Sequence, residues 1–155
     1  MSLSAPKIES LLEETRHILV NTSSREKALE KVSVMLEGEV PYYHWVGFYL
    51  VDESGENLIL GPYVGDPTDH KKIAFGKGVC GQVAVSETSR IIQDVSMEEN
   101  YLSCSSNVRS EVVFPIMKQG RFVAELDIDS HDLSPFSDHD TELLEGICEQ
   151  LEAVF

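Results

Sequence analysis

Basic residues are scarce in this chain. Its 155 residues include 12 Lys and Arg against 27 Asp and Glu, a formal charge of -15 at pH 7. Phosphate recognition needs clustered cations, so this balance argues against nucleic acid as a partner and suits a solubilising surface instead. Long apolar runs are missing too. No stretch approaches the roughly 18 residues that a bilayer crossing requires, and no charged-then-apolar leader opens the sequence, so the expectation is a soluble, cytoplasmic protein with no membrane partner. Cysteine is limited to three residues, Cys80, Cys104 and Cys148. An odd count does not fit the even disulfide framework of a secreted scaffold, which leaves thiols with packing or chemical roles. CxxC and HxxxH spacings do not occur. Cys80, Cys104 and His70 are thus conceivable metal ligands without a supporting motif, and neither metal nor cofactor is expected.

What is present fits one domain spanning residues 1–155, because a chain with 42% hydrophobic content at this length buries about two-thirds of its unfolded surface without staples. Ile8, Leu11, Leu12, Ile18 and Leu19 follow Pro6 at helical spacing. After a break at residues 21–24, Ser23 and Glu26 read as a capping box for a second helix carrying Ala28, Leu29, Val32, Met35 and Leu36 and ending near Gly38 and Pro41. His17 reads as a surface residue. His44 to Asp52 is a strand rich in aromatic and β-branched residues, apolar on both faces and therefore covered on both sides, with Asn57 to Tyr63 as its hairpin partner. Gly61 to Lys72 reads as a loop. The last helix is capped by Ser137 and carries Leu143, Leu144, Ile147, Cys148 and Leu151. The layout is α+β: an antiparallel sheet flanked by helices, with the N- and C-terminal helices packed together. The apolar end Ala153-Val154-Phe155 is a candidate dimer contact.

Chemistry concentrates between Gly76 and Ser130. Gly76-Lys77-Gly78-Val79-Cys80-Gly81 matches G-x-G-x-x-G as letters, but no Rossmann partner follows at the right distance. It reads instead as a tight turn into a short helix that places Cys80 near its positive end, a setting that lowers a thiol pKa; the plainer alternative is a small buried cysteine. Cys104 sits among serines in a polar segment, with Arg109 as a nearby cation, which fits an accessible reactive thiol. Strands Ser110 to Lys118 and Arg121 to Ser130 are joined by Gln119-Gly120, a two-residue hairpin turn. Period-2 alternation puts Glu125, Asp127 and Asp129 on one face and Ala124, Leu126 and Ile128 on the other. Three like charges in a row imply either a solvated face or a polar pocket with perturbed carboxyls.

Trp45-Val46-Gly47-Phe48-Tyr49, the Gly76 to Gly81 run, Cys104, Ser110-Glu111-Val112-Val113-Phe114-Pro115-Ile116 and Leu126-Asp127-Ile128-Asp129-Ser130, in this order, closely resemble the free methionine-(R)-sulfoxide reductases, enzymes built on a GAF domain. The resemblance implies a GAF-type sheet flanked by helices and a homodimer. It also implies reduction of the R-sulfoxide of free methionine, with thioredoxin as reductant. It makes Cys104 the catalytic cysteine and Cys80 its resolving partner, Glu111, Asp127 and Asp129 the pocket acids, and Trp45 and Tyr49 the aromatic wall for the substrate methyl group. His70 stands where that family often has a further cysteine, Ser105 where it commonly has Asp, and Glu125 where it commonly has a small residue. The competing readings are a GAF-type small-molecule sensor without turnover, which leaves Cys104 unaccounted for, and a thiol redox switch, for which the sequence offers no partner motif.

Overall fold

The computed structural model describes residues 3–102 and 106–155. Helices α1 (Ala5–Val20) and α2 (Arg25–Glu39) open the chain, followed by β1 (Trp45–Val51), β2 (Asn57–Val64), β3 (Lys72–Ala74), α3 (Gly78–Ser86), β4 (Arg90–Ile92), β5 (Ser110–Lys118), β6 (Arg121–Ser130) and α4 (Asp138–Leu151). The six strands form one antiparallel sheet in the order β3-β2-β1-β6-β5-β4, so β1 and β6, far apart in sequence, are neighbours at its centre. The α+β layout expected from the sequence is the one observed.

Apolar residues on both faces of β1 require two layers of cover, and two cores supply it. On one face Val46, Phe48, Phe114, Leu126 and Ile128 pack against α1, α2 and α4; on the other Trp45, Tyr49 and Val113 pack against Val79, Cys80 and Val83 of α3. The terminal helices meet as expected: the Gln150 amide donates to the Leu12 carbonyl, and a Cβ on Gly146 would lie 2.8 Å from the Leu12 side chain. Val154 and Phe155 pack inward against this core, with the Arg25 guanidinium 5.2 Å from the Phe155 ring centre.

Local chemistry sets the element ends, with some differences from expectation. The second helix is capped by Ser24, whose hydroxyl accepts from Lys27 N–H, one residue later than the expected Ser23 box, and the helix runs through Gly38. Gln119 and Gly120 both have positive φ, as a tight hairpin turn needs. β2 runs one residue past the expected Tyr63, to Val64, through a bulge opposite Phe48, and Lys72–Ala74, where the expected loop ends, pairs back on it. Gly61 and Pro62 interrupt a period-2 pattern, which made the bulged end of β2 read as loop. Asp140 fixes the start of α4: buried, it accepts from the Tyr42 and Tyr43 hydroxyls at 2.8 and 2.6 Å and from Ser137 N–H.

Candidate functional site

Strand register assembles the site, because residues two apart share a face and their cross-strand partners lie beside them. On the face beneath α3, Trp45 of β1 pairs with Asp129 of β6, which pairs with Glu111 of β5. The next row is Gly47, Asp127 and Val113, and the next is Tyr49, Glu125 and Pro115. A column of three acids therefore runs down the middle strand between an aromatic column and Glu111. These acids are not a wetted face: Glu111 is 4% exposed, Glu125 0%, Asp127 1% and Asp129 1%.

Gly47 shapes the aromatic column. A Cβ there would lie 2.5 Å from the Trp45 ring and 2.6 Å from Tyr63 Cβ, so only glycine lets the indole fold along the strand and stack on Tyr63 at 5.2 Å between centroids. Both aromatics also hold the loop over residues 65–71. Trp45 Nε1 donates to the Asp66 carbonyl at 3.0 Å and the Tyr49 hydroxyl to the His70 carbonyl at 2.8 Å.

The glycine-rich run forms the roof. Gly78, at φ 63°, begins α3 in a backbone conformation that favours glycine, and a Cβ there would strike Leu102. Asn100 braces the turn from both ends, its Oδ1 accepting from Gly78 N–H at 2.9 Å and its Nδ2 donating to the Gly76 carbonyl at 3.0 Å. This packing presses the first turn of α3 onto the acids. Tyr49, His70, Ile73, Cys80, Glu111 and Asp127 line a largely enclosed cavity of about 10 Å³, room for a single water-sized group.

Electrostatics here run opposite to one expectation. The helix start does not activate Cys80: burial, then the neighbouring charges of Asp127, Glu125 and Glu111, push its thiol well above the ordinary range. The positive end of a nine-residue helix, with its first N–H already engaged by Asn100, cannot offset full desolvation beside carboxylates. Burial likewise raises Glu125, against a smaller opposing effect of the Cys80 thiol. Asp127 is raised by burial, while hydrogen bonds to Glu111 and Cys80 act the other way.

The structure thus brings together Tyr49, Cys80, Glu111 and Asp127 around one cavity, with Trp45 and Asp129 one row along the same face. Cys104 and Ser105 lie outside the described residues. Arg109 is exposed and interacts with Asp94, whose carboxyl it helps to lower. Cys148 sits buried in the other core, as its helical stripe implied. Sequence reasoning missed Gly47 and Asn100. A glycine inside an aromatic strand was the available signal for the first; nothing in the sequence pointed to the second, whose partners are 22 and 24 residues away.

Comparison with known proteins identifies the family and the fold. The GAF domain family matches residues 24–155. GAF domain-containing protein A of Dictyostelium discoideum is 35% identical over 144 residues, 93% of this chain and 89% of that one. Free methionine-R-sulfoxide reductase of Escherichia coli is 30% identical over 137 residues, covering 88% and 81%. Among solved structures, free methionine-R-sulfoxide reductase from Neisseria meningitidis, in complex with its substrate, superposes with a TM-score of 0.93 at 31% identity, covering 100% of this chain and 92% of that one.

Proposed function

The chain belongs to the GAF domain family and, within it, to the free methionine-R-sulfoxide reductases, and on that premise we propose that it reduces the R-sulfoxide of free methionine in the cytoplasm. The observation that carries the reading is the column of buried carboxyls facing Tyr49 across a small enclosed cavity. A free amino acid brings an ammonium group that such acids hold, while its methyl group packs on the Tyr49 and Trp45 rings. The loop pinned by those two aromatics brings His70 to the edge of the cavity.

The chemistry follows from the protonation states. Sulfoxide oxygen leaves only when protonated, and Asp127, whose pKa burial raises, is the carboxyl placed to supply that proton. The Cys104 thiolate attacks the sulfur, forming an S–S bond as the protonated oxygen leaves as water; water then attacks the Cys104 sulfur, the S–S bond breaks, methionine departs and Cys104 is left as a sulfenic acid. Cys80 then attacks that sulfenic sulfur, giving a disulfide and water. Because the Cys80 thiol is held protonated, its attack is paired with proton transfer to Asp127 beside it, which has given up its own proton to the sulfoxide oxygen. Thioredoxin returns both thiols by exchange. A homodimer joined through the helical face belongs to the same reading, supported by Val20 and Val34, which are 71% and 55% exposed on α1 and α2.

The test is turnover of free methionine R-sulfoxide with thioredoxin and its reductase, measured beside the S epimer. Reduction of the R form alone is expected. Binding without turnover of either epimer would instead assign a ligand-sensing GAF domain.

A further inference from the structure

Cys80 Sγ, one oxygen of Glu111 and one oxygen of Asp127 lie within 4.8 Å of one another, all three buried. We propose that these side chains bind a divalent transition cation of the Zn²⁺ type in the cavity beneath α3. One thiolate and two carboxylates make a mixed soft and hard ligand set. Zn²⁺ accepts sulfur, nitrogen and oxygen together, whereas Mg²⁺ and Ca²⁺ want oxygens only and more of them.

The geometry needs little adjustment. Bonds of about 2.0 to 2.3 Å around a tetrahedral ion separate ligand atoms by about 3.3 to 3.7 Å, so the triad closes by roughly 1 Å. Carboxylate side-chain rotation supplies that movement. A water fills the fourth position.

A second observation points to a ligand independently of the clustering. Asp127 lines the cavity at 1% exposure, and its Oδ1 has no hydrogen-bond partner. Behind it the Glu125 carboxyl, at 0% exposure, meets the Cys80 thiol. A buried acceptor without a partner is costly, and a dication satisfies Asp127 Oδ1 directly. Binding removes the proton from Cys80, because a coordinating thiol is deprotonated outright.

This inference stands apart from the reductase reading, since binding is measured without turnover. Where that reading also holds, the cation competes with the substrate ammonium for the same acids, and Zn²⁺ inhibits competitively until a chelator removes it.

The experiment adds Co²⁺ to the reduced full-length protein without oxygen. Expected is one equivalent bound, with a near-ultraviolet thiolate-to-cobalt charge-transfer band that Zn²⁺ abolishes by displacement. Cys80→Ser should eliminate the band, while Cys104→Ser and Cys148→Ser keep it. Glu111→Gln and Asp127→Asn should each weaken Zn²⁺ binding, followed by equilibrium dialysis, by on the order of tenfold to a hundredfold. Absence of the band in the unaltered protein overturns the proposal, as does its persistence in Cys80→Ser. Unchanged Zn²⁺ affinity in both carboxamide variants overturns it equally, which covers the case of a poorly folded Cys80→Ser. Sulfoxide turnover without cobalt binding defeats this inference alone; cobalt binding without turnover defeats the reductase reading alone.

Discussion

Glu125 offers the sharpest test of the buried acid column. Its carboxyl is fully buried, lies beside Cys80 and Asp127, and is raised well above the ordinary carboxylate range, mainly by burial. A group whose folded pKa exceeds its unfolded value is protonated in the folded state while the unfolded chain has already released the proton. Its contribution to stability is therefore complete below the unfolded value, about 4.3, and falls as pH rises toward the folded value. The slope is about 1.4 kcal/mol of unfolding free energy per pH unit for each such group in that window. Asp127 adds in the same direction. Glu125→Gln keeps the shape and removes one titrating group, so the unaltered protein should lose stability from pH 5 upward more steeply than the variant, by up to about 1.4 kcal/mol per unit. Urea unfolding at half-unit pH intervals measures both slopes. The slope difference is the readout, because the change of hydrogen-bonding atoms shifts the whole curve without tilting it. Parallel pH profiles would refute the argument, since Glu125 would then titrate as an exposed acid does.

Three further outcomes are expected. Cys80→Ser should complete one turnover and stall as a Cys104 sulfenic acid detectable with a sulfenate-selective reagent, because His70 cannot form a disulfide; sustained thioredoxin-supported cycling would show that Cys80 does not resolve Cys104. Gly47→Ala drives a methyl group into Trp45 and Tyr63, so it should cost about 1 to 3 kcal/mol in denaturant melts and alter the Trp45 fluorescence, the only tryptophan in the chain. An unchanged midpoint and spectrum would contradict the contact. Acetylating the substrate amine removes a charge-assisted hydrogen bond and leaves a buried acid unpaired, for a loss on the order of tenfold to more than a hundredfold in kcat/KM. Equal rates on N-acetylmethionine R-sulfoxide would mean that Glu111, Asp127 and Asp129 do not read the ammonium.

The sequence by itself determined the elements whose signals are local. Helical spacing located α1, α2 and α4, Gln119-Gly120 marked the β5–β6 hairpin, and apolar residues on both faces of β1 announced a sheet covered on both sides. Period-2 alternation likewise put Glu125, Asp127 and Asp129 on one face. Whether that face was wet or buried was a different kind of question. Alternation fixes which way side chains point, while burial depends on what packs above them, and that is α3, pressed down by a glycine turn braced from Asn100. The same closure decided the state of Cys80. Proximity to a helix start argued for a reactive thiolate, but the register of β5 and β6 set three carboxyls around a thiol cut off from water, and desolvation beside like charge outweighs a short helix dipole. Strand pairing joins residues dozens of positions apart, so the chain could name the acids and the thiol, and only their packing could set which of them hold protons.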